Sequence, residues 1–197
     1  MIEFNLSSEL ILWVAITSFP VLALIVAILL DFILFEDRND TKKSKRSLVA
    51  TGTMFLFYGF YMLAIVLRIL VLNPPLPLEA RYFGVVLLYL GSAMNIWGRI
   101  VLKNNWANHI KIYSDHRLVT HSVFKIVRHP LYTSLFVMMF GGAIFFSNLA
   151  CFLLTALVFI PMMYYRAKQE EKLLCQEFPE YENYRRTTGM FFPKPWR

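Results

Sequence analysis

The stretch from Arg128 to Tyr132, which reads Arg-His-Pro-Leu-Tyr, lies where a polar, basic segment gives way to an apolar one. Pro130 disfavours a helical conformation at His129 and suits the first position of a helix, where its missing N–H has no partner to lose. The pattern therefore predicts a helix that begins at Pro130. Free backbone N–H groups there, beside a histidine and an arginine, can hold an anionic or polar ligand group. The alternative is that the two cations only mark a membrane interface.

A second set of polar residues, Arg166, Glu170 and Glu171, opens the C-terminal tail. Arg166 and Glu170 are four residues apart, so they share one helix face and can pair or point into a common pocket. Carboxylates of this kind can accept hydrogen bonds from the ribose hydroxyls and amino groups of a nucleotide-like cation. A salt bridge on a surface helix explains the same residues. The sequence shows no Gly-rich phosphate loop, no Ser-His-Asp set and no paired-carboxylate hydrolase pattern.

Histidine clustering raises the question of a metal site. All four histidines lie in or next to the polar connection of residues 103–130. No pair has the i, i+4 spacing of a helical zinc site and no cysteine is nearby, so we predict no metal site. The two cysteines lie in an apolar run and in the polar tail, and we expect no disulfide between them.

The bulk composition excludes an ordinary soluble domain. The chain has 197 residues, of which 57% are hydrophobic, and its mean hydropathy is +0.51. This composition predicts an all-α, polytopic membrane bundle, because only helices or closed barrels satisfy the backbone in lipid. The net charge of +7 does not indicate a nucleic-acid partner, since the basic residues fall between apolar runs.

Five apolar segments are long enough to be predicted as transmembrane helices, the last two at the short end. They cover residues 10–35, 48–72, 81–102, 130–146 and 149–165. Most Lys and Arg residues lie in the connections 36–47 and 103–130 and in the tail. The positive-inside rule then places the N-terminus outside and the tail in the cytoplasm. The membrane would be the cell inner membrane or the endoplasmic reticulum, depending on the source.

The chain divides into two parts. Residues 1–80 would form two spans without a motif, and residues 81–197 would form a core of a span, a cytoplasmic connection, a helical hairpin and a tail. Arg68 would snorkel from the end of the second span. Asn95 and Arg99 share a helix face, and their role is open. Gly141 and Gly142 would let the two helices of the hairpin approach closely.

With all these residues in view, the sequence resembles the isoprenylcysteine carboxyl methyltransferase family, including its prokaryotic members, and more distantly the phospholipid methyltransferases. The resemblance covers about residues 91–197. The matching residues are His116-Arg117-Leu118-Val119, Phe124, Arg128-His129-Pro130-Leu131-Tyr132, Arg166, Glu170-Glu171, Phe178-Pro179-Glu180-Tyr181 and Tyr184. This chain departs from the family pattern at Ser122 and Pro179, where glycine is common, and at Phe124, where tyrosine is common.

The resemblance implies a membrane methyltransferase that binds S-adenosyl-L-methionine in a cytoplasmic pocket. Arg166 would hold the acceptor group, assisted by Asn105 or Arg99, and Glu171 would lie beside the cofactor. The implied pocket residues are His116, Arg117, Leu118, Val119, Phe124, His129, Pro130, Leu131, Tyr132 and Glu170.

The implied reaction is methyl transfer to a carboxylate on a lipophilic, isoprenylcysteine-like substrate. A carboxylate is ionised at neutral pH and needs no general base. A phospholipid amine, a thiol or another apolar acceptor is the alternative. Two other functions stay open: an NADPH-dependent membrane reductase of the sterol-reductase type, and a non-enzymatic scaffold whose basic tail binds anionic membrane lipid.

Overall fold

A computed structural model describes residues 6–35, 41–45, 48–102, 110–113 and 117–195. Within these ranges the chain is helical apart from two short strands. In chain order the elements are α1 Leu6–Phe35, β1 Thr41–Lys45, α2 Leu48–Val66, α3 Leu78–Leu102, β2 Ile110–Tyr113, α4 Val123–Ile126, α5 Pro130–Phe145, α6 Leu149–Leu154, a π-helical turn Thr155–Phe159, α7 Ile160–Glu177 and α8 Tyr181–Thr187.

The helical architecture predicted from the composition is confirmed, and one feature was not predicted. Strands β1 and β2 pair antiparallel, with Thr41 opposite Tyr113 and Lys45 opposite Ile110. A strand is identified from sequence by alternating apolar and polar residues. β1 reads Thr-Lys-Lys-Ser-Lys and lacks this alternation, so it could not be predicted. The pairing brings together two connections that are far apart in the chain.

Three of the described helical segments are long and apolar enough to cross a membrane, by length and composition. They are Ile11–Asp31, Leu78–Leu102 and Leu149–Glu177, the last of which runs through α6, the π-helical turn and α7 without a break. Leu56–Val66 and Pro130–Phe145 are apolar but shorter. These helices indicate a membrane protein, whereas the count of five spans and the orientation stay predictions.

The second apolar helix ends earlier than predicted. α2 stops at Val66 instead of continuing to residue 72, and Arg68 and Leu70 then adopt φ angles of 53° and 52°. Such positive φ values cannot continue a right-handed helix. The Leu72 N–H donates to the carbonyl of Ser147 at 2.8 Å, so this segment pairs with the turn after α5. We had predicted that Arg68 lies inside the second span near its end. In the structure it is instead an exposed residue in the turn after α2.

α3 and α5 pack backbone against backbone, antiparallel, along glycines. A Cβ placed on Gly84 would lie 2.7 Å from the Gly141 carbonyl oxygen, and one on Gly98 would lie 2.8 Å from Leu131 Cδ2. Gly141 therefore permits close approach of α5 to α3. We had predicted that it permits close approach to the following helix of the hairpin, and for Gly141 this is wrong. This packing holds the first turn of α5 against the last turns of α3.

α2 packs antiparallel against the Leu149–Glu177 helix. The rings of Phe57 and Phe159 stack with centroids 4.5 Å apart, and Asn148 Nδ2 donates to the Ala64 carbonyl at 3.0 Å. Asn148 also caps α6, because its Oδ1 accepts from the Cys151 N–H at 2.9 Å. The predicted turn at residues 147–148 is thus present. The long helix that follows it brings α7 beside the start of α5.

Candidate functional site

The predicted helix start at Pro130 is confirmed, with Pro130 in the first turn of α5 and His129 at the N-cap. His129 has φ −122° and ψ 64°, outside the helical region, as expected before proline. We call residues 128–130 the corner. The tail runs beside it: the N–H groups of Arg128 and His129 donate to the carbonyls of Gly189 and Met190 at 2.8 and 3.1 Å. The corner is therefore held by a distant part of the chain.

Arg128 and Glu171 form a buried ion pair that joins the corner to α7. Arg128 Nε and Nη2 both lie 2.8 Å from Glu171 Oε1, and the two side chains are 8% and 3% exposed. Arg128 Nη1 also donates to the carbonyls of Arg185 and Thr188. Charge-assisted bonds of this kind are strong when desolvated, so Glu171 holds the corner in place.

His129 lies between the two glutamates. Its Nδ1 is 3.4 Å from Glu170 Oε2 and its Nε2 is 3.3 Å from Glu171 Oε1. Burial by itself would lower the pKa of His129, but the hydrogen bonds and charges of the two carboxylates outweigh it and raise that pKa above its ordinary value. With a carboxylate against each ring nitrogen, the doubly protonated imidazolium is the form that the site favours.

Glu170 is the carboxylate through which the site opens. Tyr132 donates its hydroxyl to Glu170 Oε1, and Arg166 Nε lies 3.7 Å from the same oxygen. The Glu170 side chain is 24% exposed, whereas that of Glu171 is 3% exposed. Glu170 can therefore reach a ligand, while Oε1 of Glu171 is bound to Arg128 and His129.

The remaining predicted site residues are brought together only in part. Phe124 is buried on α4, and its carbonyl accepts a hydrogen bond from the hydroxyl of Tyr184. Arg117 is exposed, and Leu118 and Val119 are half-buried. Asn105 and His116 lie outside the described residues. The cofactor roles of these residues stay predictions.

Sequence reasoning missed two contributions to this region. The first is the tail around Gly189, which pairs with the corner and which no motif identifies. The second is Asp31, whose carboxylate accepts from Arg99 Nη1 at 2.6 Å. A charged residue near the end of an otherwise apolar helix was the available signal, because such residues are costly in a membrane and are kept for a reason.

The state of His129 gives a prediction for stability against pH. Because its folded pKa is raised, the protonated form stabilises the fold fully below the unfolded pKa of about 6.5, and this contribution is lost as the pH rises through the folded value. We expect wild-type protein to lose thermal stability across that rise, and His129→Gln to lack this component. Parallel melting curves of the two proteins from about pH 5.5 to about pH 9 test it. Curves that change identically with pH would contradict the assignment to His129.

A buried histidine, two arginines and two carboxylates lie together at the ends of apolar helices, so the structure is that of a helical membrane protein with a charged cluster at one end of these helices. Residues 84–176 match the model of the isoprenylcysteine carboxyl methyltransferase (ICMT) family. This part of the chain is similar to that family, and the match confirms the resemblance drawn from the motifs.

Named relatives match over a similar length. The nickel-cobalt-cadmium resistance protein NccN of Alcaligenes xylosoxydans xylosoxydans is 33% identical over 106 residues, which are 53% of this chain and 47% of that protein. The cobalt-zinc-cadmium resistance protein CzcN of Cupriavidus metallidurans is 32% identical over 53% of this chain and 47% of its own length. A probable protein-S-isoprenylcysteine O-methyltransferase of Oryza sativa subsp. indica is 29% identical over 52% of this chain and 56% of its own length. The chain spans about half the length of the curated relatives it matches.

Proposed function

We propose that this protein is an S-adenosylmethionine-dependent methyltransferase that acts on a lipophilic, isoprenylcysteine-like carboxylate at the cytoplasmic face of a membrane. One observation carries the proposal: Glu170 lies 3.4 Å from His129 and 3.7 Å from Arg166, so that the two separate halves of the motif meet in one site. The family match of residues 84–176 gives that meeting a chemical meaning.

The site fits S-adenosylmethionine through its unused acceptors. Glu170 is partly exposed and can accept from an amine or from ribose hydroxyls. Of the described residues, Glu171 Oε2 and the Tyr181 hydroxyl are buried polar atoms that have no hydrogen-bond partner. Such atoms are costly unless something satisfies them, so they favour a polar ligand beside them. The ring of Phe191, 6.0 Å from that of His129, adds an apolar wall.

When bound, S-adenosylmethionine supplies an electrophilic methyl group whose transfer to a carboxylate neutralises both reactants. The protein's share of the work is to align the two and to exclude water, because opposite charges that are neutralised react faster at low dielectric. No residue has to take up a proton, which agrees with a site whose histidine is held between two carboxylates and is not free to act as a base.

Arg166 is the residue proposed to hold the acceptor. Its side chain is 15% exposed, its Nε lies 3.7 Å from Glu170 Oε1, and its Nη1 donates to the Met54 thioether at 3.2 Å. A thioether is a weak acceptor that a carboxylate outcompetes, since arginine pairs with carboxylates by two parallel bonds. An incoming acceptor can therefore replace Met54 with a gain in binding energy.

The membrane arrangement supports entry of a lipophilic acceptor. α1 contacts α3 at Asp31 and Arg99, α3 contacts α5 at Gly98 and Leu131, and α2 contacts α7 at Met54 and Arg166, so these ends lie on one side of the bundle. With five spans, this side is the cytoplasmic one by the positive-inside rule. The outer helix faces are apolar and exposed, as lipid contact requires, and an apolar substrate tail can approach along them.

Methyl transfer by wild-type protein and by an Arg166→Ala variant tests this function. We expect purified wild-type protein to transfer labelled methyl groups from S-adenosylmethionine to a component of a lipid extract. Arg166→Ala should lower turnover by about 100-fold, because one charge-assisted contact in a desolvated site contributes about 2–3 kcal/mol. Its affinity for S-adenosylmethionine should stay within about threefold of wild type, which corresponds to less than about 1 kcal/mol, because Arg166 is proposed to hold the acceptor and not the cofactor.

The matched control is Arg186→Ala, which removes an exposed arginine whose only described ion pair is with Glu182 at 3.6 Å. It should transfer at the wild-type rate. A wild-type protein that transfers no label to any lipid fraction contradicts the proposed function. An Arg166→Ala variant that keeps full turnover contradicts the role of this residue alone.

A further inference from the structure

Asp31 forms an ion pair near the end of the apolar helix α1, outside the segment that matches the family. The Asp31 side chain is 11% exposed, and its Oδ2 accepts from Arg99 Nη1 at 2.6 Å. Desolvating two charges is expensive, and a buried pair is weak as a stabilising device compared with well-packed apolar side chains. The pair is better explained by something that it orients.

The pair is the first link of a directed series of hydrogen bonds. Arg99 also donates from Nε to Asn95 Oδ1 at 2.8 Å. Asn95, which is fully buried, donates from Nδ2 to Ser134 Oγ at 2.6 Å and to the Leu131 carbonyl at 3.1 Å. Because arginine can only donate, it fixes Oδ1 of the amide on the α3 side and turns Nδ2 towards α5. The direction of each bond thus depends on the one before it.

The series ends in the first turn of α5. The Leu131 carbonyl lies between His129 and Tyr132, the two residues of this turn that contact Glu170. Any rotation of the turn moves both side chains with respect to Glu170. Leu131 also contacts α3 through Gly98, where a Cβ would be only 2.8 Å away, so the turn has packing and polar restraints on one side.

We propose that Asp31 is a positioning residue: by fixing Arg99 and, through it, Asn95, it holds the first turn of α5 in the orientation in which His129 and Tyr132 meet Glu170. A helix outside the matched segment therefore completes the site. The choice of S-adenosylmethionine as the ligand in the test below rests on the proposed function, whereas the role of Asp31 in orienting the turn does not.

The same helices offer matched controls. Ser92 donates to the Pro20 carbonyl at 2.8 Å, and the Tyr89 hydroxyl donates to the Ile16 carbonyl at 3.1 Å. Both bonds join α1 to α3, as Asp31 and Arg99 do, but neither belongs to the series that reaches α5. If Asp31 only fastened α1 to α3, removing these bonds would have the same kind of effect.

The experiment compares Asp31→Asn, Asp31→Glu and Ser92→Ala with wild type by two readouts. The first is hydrogen–deuterium exchange of the amides of residues 131–135, which needs no ligand. The second is the dissociation constant for S-adenosylmethionine. We expect Asp31→Asn to speed exchange and to weaken binding by about tenfold each, Asp31→Glu to recover part of both, and Ser92→Ala to change neither.

The two failures are distinguishable. If wild type does not bind S-adenosylmethionine, the proposed function is wrong, and the exchange readout still decides the role of Asp31. Unchanged exchange at residues 131–135 in Asp31→Asn, or equal acceleration in Ser92→Ala, overturns the positioning role. Should Asp31→Asn fail to fold, Asn95→Ala breaks the series one link later with the ion pair intact, and the same outcomes apply.

Discussion

Replacing Glu171 with alanine is expected to destabilise the protein by about 3–5 kcal/mol and to abolish binding of S-adenosylmethionine. Glu171 Oε1 receives two contacts of 2.8 Å from Arg128 and one of 3.3 Å from His129, all of them buried. Its removal leaves two cationic groups without their shared carboxylate in a region that water does not reach. Breaking a buried pair from one side has a large cost for this reason. Thermal unfolding in detergent, with calorimetric titration of the cofactor, measures both effects.

Glu182 provides the matched control for Glu171. It pairs with Arg185 at 2.8 Å, but both side chains are 43% exposed. Glu182→Ala should therefore change stability by less than about 1 kcal/mol and leave cofactor binding as it is. Equal losses for the two alanine variants would mean that burial contributes nothing to the Arg128–Glu171 pair, and the corner would then need another anchor.

The second large effect is expected from a single methyl group on α3. In Gly84→Ala the new Cβ would lie 2.7 Å from the Gly141 carbonyl oxygen and 2.8 Å from the Phe145 amide nitrogen. Both neighbours are backbone atoms, which cannot move aside as a flexible side chain does, so α3 and α5 must separate. We expect a loss of about 3 kcal/mol, the upper end of the range for overpacking, measured by thermal unfolding.

Gly59, in α2, provides the matched control for Gly84. Among the described residues, and apart from the helix's own neighbouring backbone, no atom lies within 4 Å of a Cβ placed there, so Gly59→Ala meets no described neighbour. Because alanine is the better helix former, this variant should be more stable than wild type by up to about 1 kcal/mol. The two substitutions should thus differ in sign. A Gly84→Ala protein as stable as wild type would refute the close backbone contact of α3 and α5.

Local rules predicted the start of α5 and the identity of the residues at the corner. Proline restricts its own backbone and that of the residue before it, so Pro130 and His129 specify the helix start without help from the rest of the chain. The meeting of His129 with Glu170 is different, because nothing local requires it. The topology predicted that the start of this helix and the tail lie on the same side of the membrane, and the resemblance to a family placed both residues in one pocket. The structure shows the two in contact.

Features that depend on distant packing were out of reach. Arg68 was assigned to a span because apolar residues surround it, yet its positive φ belongs to a turn that pairs with the residues after α5. Gly141 was assigned to the wrong neighbour, because a glycine permits close approach without saying to which helix. Asp31 lies in an apolar run, but nothing in that run indicates its partner Arg99, which lies two helices further along the chain.

The central claim is that a site built from the corner at His129 and the carboxylate of Glu170 binds S-adenosylmethionine. Calorimetric titration of the purified wild-type protein in detergent with S-adenosylmethionine, and separately with NADPH, tests it most directly. The account predicts saturable binding of S-adenosylmethionine at one site per chain and no heat from NADPH. Binding of NADPH, or no binding of S-adenosylmethionine to folded protein, would contradict it.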